Sequence, residues 1–329
     1  MNAVLSTERP PLGIRLLRAL GQGEPDWVSM TDEELAAFSA AQNRKRSSRV
    51  VRVITGCPDR GAVRSWQDVV LPDRRVRVRV YRPTPERGGG RVDLPLVLHV
   101  HGGGFVGTAA QSDWVNSHLA ARLPAVVVSV EHRLLDRRTA LPAGVDDGWD
   151  VLRHVVRHAA DWGVDPARAA VFGESNGGLI TALGTFRARE AGLPLRAQVL
   201  VNPALDLTDE AYEHPSMRRH GNSPTLNIGQ VRLYQRLAVP PGVDARAMSP
   251  LHAADLSGLP PALVVVPTID PMADQGRGYA ERLLEAGTPA RLTEHAGATH
   301  GFVSMPGVVP QAKAARAEIA AFLRHHLIG

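Results

Sequence analysis

The chain has 329 residues, of which 44% are hydrophobic and 22% charged, which excludes a disordered polymer and leaves room for one large α/β domain with an insertion or two small domains. Its net charge of +5 is nearly all arginine, since Lys45 and Lys313 are the only lysines. The arginines are spread along the chain without interleaved aromatic residues, so nucleic acid is excluded as the expected partner, and the bias fits a GC-rich genome.

Residues 1–50 differ in character from the rest of the chain and are expected to form a helical cap. Residues 1–20 lack the unbroken apolar segment of a secretory signal, and no later run is long enough to span a membrane. The expectation is a soluble cytoplasmic protein with no stable membrane insertion. Thr31-Asp32-Glu33-Glu34 is a capping box. It opens a helix carrying Leu35, Phe38 and Ala41 that ends near Arg44-Lys45-Arg46. Cys57 is the one cysteine, so no intrachain disulfide is available.

Residues 51–205 read as the first part of an α/β core. Ser65 to Leu71 and Arg75 to Tyr81 predict a hairpin around Pro72-Asp73, with arginines alternating with valines as on the wet face of a half-buried strand. Leu94 to Val100 and Ala125 to Val130 are almost wholly apolar, as strands covered on both faces are. A helix is predicted over 142–162, a strand over Ala169 to Gly173, a helix over 176–190 and a strand over Ala197 to Asn202. Residues 206–255 then break the alternation: they are polar, helix-prone and rich in Pro, Met and Arg. A cap insertion over 206–250, hinged near Asp206 and Pro250, accounts for them.

The core resumes over 251–329, with a strand at Ala262 to Val266, a helix over 272–286, a strand near Ala290 to Glu294 and a last helix over 309–327. Such alternation predicts an α/β fold with a mostly parallel, doubly wound sheet and a helical cap. The final strand and last helix offer an edge for a homodimer.

The chemistry centres on VFGESNGGLI, Val171 to Ile180. Gly-x-Ser-x-Gly alone is a weak signal, and a structural serine in a glycine turn is the plain alternative. Its setting strengthens it: a serine between a strand and a helix is lifted above the sheet edge, with the Asn176 amide and the helix N-terminus beside it. A nucleophile needs a base and an orienting acid, and in this arrangement the acid comes first in the chain. Asp270 follows the strand ALVVV and His300 lies in the loop HAGATHGF, so the order Ser175, Asp270, His300 is the required one. Asp274 is the rival acid but is expected on the next helix, in a supporting role. His295 is the rival base, expected at a strand end.

HVHGGGF, His99 to Phe105, follows a core strand and can turn bare backbone amides toward an oxyanion. It lacks the ending of a phosphate-binding loop. His99 and His101 alternate on one strand face, but no further ligand joins them at metal-site spacing. His154 with His158, and His325 with His326, read as surface residues.

HGGGF, GESNGG, DPMAD and THGF, in this order, resemble the hormone-sensitive-lipase-like (bacterial family IV) carboxylesterases of the α/β-hydrolase superfamily, from about Val63 to the C-terminus. The resemblance implies an α/β-hydrolase fold and cleavage of small-molecule esters of short to medium acyl chain, without metal or organic cofactor. It implies Ser175 as nucleophile, His300 as general base and acid, and Asp270 as the residue orienting His300. Gly103, Gly104 and Asn176 are then oxyanion donors, His101 supports the glycine loop, and Glu174 braces the serine turn. Two departures stand out: Asn176 replaces the usual alanine, and HRLLDRRTALPA, His132 to Ala143, replaces the family's Tyr-Arg-Leu-Ala-Pro-Glu stretch. An amidase, deacetylase, lactonase or acyl transferase would share the same three residues. A ligand-binding module without turnover is the remaining alternative.

Overall fold

The computed structural model describes residues 8–20, 25–27, 29–85 and 93–329. The strands are β1 (Ala62–Val70), β2 (Arg75–Pro83), β3 (Leu94–Val100), β4 (Val126–Val130), β5 (Val164–Glu174), β6 (Ala197–Val201), β7 (Ala262–Ile269) and β8 (Ala290–Thr299). They form an eight-stranded sheet in the order β1-β2-β4-β3-β5-β6-β7-β8. β2 is antiparallel to both β1 and β4, and the remaining pairs are parallel.

β3, β4 and β6 are buried along their whole length. Runs such as Val126 to Val130 require this, because helices on both faces keep either row of side chains from water. One row, with Val97, Val127, Phe172 and Val199, packs on the helices Asp113–Arg122 and Ala312–Leu327. The alternate row, with Leu96, Val128 and Val171, packs on Val151 and Val155 of the helix Leu141–Arg157. Each such buried Val or Leu contributes about 1.5–3 kcal/mol relative to exposure. On β2, Val76, Val78 and Val80 are buried while the arginines between them face outward and find partners. Arg77 and Arg79 lie over the Trp66 ring at 4.3 and 5.0 Å, and Arg79 forks onto Asp113 at 2.8 and 2.9 Å.

Some elements depart from the pattern the sequence predicts. The helix expected over 142–162 is two, Leu141–Arg157 and Ala159–Trp162, divided at His158, whose φ of −108° and ψ of 35° leave the helix. His154 is only half-exposed, stacking on His158 at 4.3 Å. β8 runs past its apolar start to Thr299, so His295 lies within the strand, buried against Phe302 and 3.3 Å from Glu318. The last helix begins at Ala312. Helix Leu12–Leu20 lies in the span expected to be helical, whereas the helices Arg52–Thr55 and Asp113–Arg122 are additions. The last of these buries Asn116 and Ser117 as well as Trp114, Val115 and Leu119, so it shows no apolar stripe of helical period.

Helix Asp32–Ser47 starts at the capping box, with Thr31 N donating to Glu34 Oε2 at 2.8 Å and Glu34 N to Thr31 Oγ1 at 3.2 Å. The segment after β6 contributes the helices Pro215–His220 and Ile228–Ala238. Trp27, Met30 and Leu35 join Leu233, Tyr234 and Leu237 in one apolar cluster with Phe105.

Asp206 ties the two ends of this segment together. Buried, it accepts from Thr208 N and Thr208 Oγ1 at 2.9 and 2.7 Å, and lies 3.1 Å from His252 and 3.6 Å from His214. Burial alone would raise its pKa; the neighbouring His214 and His252 rings and the Thr208 bonds outweigh that and bring it down to about 2 from 3.8. A depressed carboxylate pKa stabilises the fold above the unfolded value and loses that contribution as pH falls toward the folded one. Asp206→Asn is therefore expected to cost about 2 kcal/mol at pH 6 and about half of that at pH 3. Urea unfolding at the two pH values measures both, and an equal cost at each would show that the charge is not what matters.

Candidate active site

The sheet order reverses between β3 and β5, since the chain steps outward from β3 to β4 and returns on the other side as β5. Such a reversal leaves a crevice at the C-terminal ends of the strands. The loop Gly102 to Gly107 follows β3, Ser175 follows β5, Asp270 follows β7 and His300 follows β8.

Ser175 caps the helix Asn176–Glu190 with φ 56° and ψ −120°, a conformation that costs a non-glycine residue about 1–3 kcal/mol. The turn is held by Ser175 N donating to Val201 O at 2.9 Å and by Leu179 N donating to Ser175 O at 3.1 Å. Gly177 permits the helix to approach β3: a Cβ there would sit 2.2 Å from Val100 O.

Ser175 Oγ lies 2.7 Å from His300 Nε2, and His300 Nδ1 lies 2.8 Å from Asp270 Oδ2. Asp270 is fully buried, and its Oδ1 accepts from Met272 N at 2.9 Å. With the Nδ1 proton donated to Asp270, Nε2 presents a lone pair to the serine hydroxyl. That is the arrangement needed for a hydroxyl to attack a carbonyl carbon. Gly301 N, next to the histidine, donates to Asn202 Oδ1 at 3.3 Å. Asp274 stands apart, accepting from Ser216 N at 2.7 Å and pairing with Arg277 at 2.6 Å.

Glu174 is buried behind the serine and accepts from Ser304 Oγ at 2.6 Å. Burial raises its pKa, and the Ser304 hydroxyl opposes that shift. His101 Nδ1 donates to Gly102 O at 3.0 Å, and its ring stacks on His132 at 4.2 Å. Burial holds His101 well below the usual histidine range, and His99, beside Ser129 Oγ at 2.7 Å, is pushed down to about 3 by burial. Both rings are therefore neutral supports of β3 and its loop at physiological pH.

The glycine loop is braced from outside. Gly103 has φ 104°, and a Cβ there would fall 1.6 Å from Val106 O. Gln111 Nε2 donates to Gly102 O at 2.9 Å and Leu135 N donates to Gly104 O at 2.8 Å. Helix Asp32–Ser47 adds Ser39 Oγ donating to Phe105 O at 2.7 Å, and Asn43 Oδ1 accepting from Gly107 N at 2.8 Å. Tyr234 hydroxyl donates to Asn176 Oδ1 at 2.8 Å, and a Cβ on Gly104 would lie 2.5 Å from its ring. Tyr234, Gln111, Asn202, Ser39 and Asn43 carry no motif; only their packing in three dimensions reveals them. A cavity of about 1010 Å³ opens over Ser175 and His300, walled by Trp27, Phe38, Leu226, Met272 and Met305.

The family described as alpha/beta hydrolase fold matches residues 97–304. The chain is 37% identical over 260 residues to carboxylesterase NlhH of Mycobacterium tuberculosis, covering 77% of this chain and 79% of that protein. It is 34% identical over 299 residues to ethyl acetate hydrolase of Pseudomonas putida, covering 88% of this chain and 92% of that one. Among solved structures, ester-hydrolase EH1AB1 from the metagenome of Lake Arreo superposes with a TM-score of 0.85 at 29% identity, covering 97% of this chain and 100% of that one.

Proposed function

Because this chain belongs to the hormone-sensitive-lipase-like carboxylesterases of the α/β-hydrolase superfamily and is a carboxylic ester hydrolase, we propose that it works through Ser175, His300 and Asp270 on esters of short to medium acyl chain. The contact that carries this reading is Ser175 Oγ to His300 Nε2 at 2.7 Å. His300 takes the hydroxyl proton as Ser175 attacks the acyl carbonyl. The oxyanion is held by the backbone amides of Gly103, Gly104 and Asn176, each such donor worth about 10²–10³ in rate. His300 then gives its proton to the leaving alcohol, and water repeats the sequence on the acyl-enzyme. No metal or organic cofactor enters these steps. In this reading the cap is built from residues 206–250 and the described part of 1–50, residues 1–7, 21–24 and 28 of that span lying outside the described residues, and the apolar walls at Trp27, Phe38 and Leu226 favour the acyl chain. Among the described residues, no helix is long and apolar enough to cross a membrane.

Hydrolysis of p-nitrophenyl esters from acetyl to dodecanoyl tests the reading, with a maximum expected at short to medium length. A maximum at dodecanoyl would overturn the chain-length part. The same series reads Asn176, whose side chain is fixed to Tyr234 at the cavity wall. Asn176→Ala opens space beside the serine and frees the Tyr234 hydroxyl, so the optimum is expected to move to longer acyl chains. Superimposable profiles for the two proteins would refute this role for Asn176.

A further inference from the structure

Arg46 is a cation that the ester-cleaving steps do not use. It lies near the end of the helix Asp32–Ser47 and lines the same cavity as Ser175 and His300. A guanidinium has five N–H donors. Among the described residues only Nη1 of Arg46 is bonded, to Gln111 Oε1 at 2.8 Å, and no carboxylate comes within ion-pair distance. None of its other nitrogens is sealed away without a partner, so they remain accessible from the cavity. Lys45, beside it in the chain, lines the cavity too.

Burial lowers the pKa of Arg46, and the charge of Glu174 works the other way. Glu174 is a weak counter-ion, because its own burial favours the protonated form and its Oε2 is engaged by Ser304. An under-partnered cation on a partly desolvated wall calls for an anion. The planar fork of a guanidinium suits a carboxylate, which it can hold through two parallel bonds.

We propose that the natural substrate is an ester that also bears a carboxylate, bound by the Arg46 guanidinium with Lys45 alongside while the ester carbonyl sits at Ser175. This rests on the ester-hydrolase reading. The carboxylate can lie on the acyl side or on the alcohol side, and two probes separate them. Monoethyl adipate is compared with ethyl hexanoate, and 4-acetoxybutanoate with butyl acetate, in the wild type, Arg46→Gln and Arg46→Glu. In one of the two pairs the wild type is expected to favour the anionic ester by about tenfold in kcat/KM.

Arg46→Gln is expected to abolish that ratio mainly through KM, Arg46→Glu to invert it, and added salt to weaken it in the wild type while leaving Arg46→Gln unchanged. The ratio is read within one protein sample, so a general loss of activity from a disturbed Gln111 does not affect it. Equal rates for anionic and neutral esters in the wild type, or a preference that survives Arg46→Gln, would overturn the proposal while leaving the esterase reading intact. A wild type inert on all four esters would overturn both.

Discussion

Ser175→Ala is expected to lower kcat/KM on p-nitrophenyl acetate by about 10⁴–10⁶-fold, the range seen when a serine nucleophile is removed from such a unit. The substitution deletes one oxygen and its 2.7 Å contact with His300. It leaves the strained turn itself to be held by Val201 O and Leu179 N, as in the wild type. Thermal stability should therefore change little, since one partly buried hydrogen bond is worth about 1 kcal/mol. Labelling by a fluorophosphonate should vanish with the hydroxyl. A variant that is folded, unlabelled and still within tenfold of wild-type activity would mean that another group attacks the ester.

Asp270→Asn is expected to cost about 10⁴-fold in kcat, although the side chains are nearly the same shape. The reason lies in the two partners of the carboxylate. Met272 N–H requires an acceptor at Oδ1, and His300 Nδ1–H requires one at Oδ2. An asparagine offers only one oxygen. If that oxygen serves Met272, the amide N–H₂ faces Nδ1 and drives the ring proton to Nε2, where the base needs a lone pair. If it serves His300, two buried N–H donors confront each other at Met272. Either state removes the base or loosens it. A full pH–rate profile distinguishes loss of the base from loss of fold, and kcat within a factor of ten of wild type at every pH would remove Asp270 from the mechanism.

The parts of this molecule that are legible in the sequence are those governed by local rules. The apolar runs ending at Val100, Val130 and Val201 mark strands because a strand covered on both faces has no other composition to adopt. The Thr31 capping box is written in consecutive residues and forms as written. Ser175, Asp270 and His300 stand out because each follows a strand in a fixed chain order, and the fold brings those strand ends together.

What is not legible depends on which surfaces meet. The helix Asp113–Arg122 hides because it is enclosed on nearly all sides and so lacks an amphipathic period. Tyr234 gives no local signal, because its bond to Asn176 spans 58 positions and exists only once the insertion has folded over β5. Arg46 reads as part of a basic helix end until its cavity setting is known.

The bracing of the glycine loop by Ser39 and Asn43 also bears on how this enzyme can be altered. The span that matches the family begins at residue 97, so these props lie upstream of it. A chain trimmed to that span would keep Ser175, Asp270 and His300 and lose both props. Mutational libraries drawn only around the serine would pass them over as well. For tuning turnover, the helix Asp32–Ser47 is as direct a handle as the pocket floor.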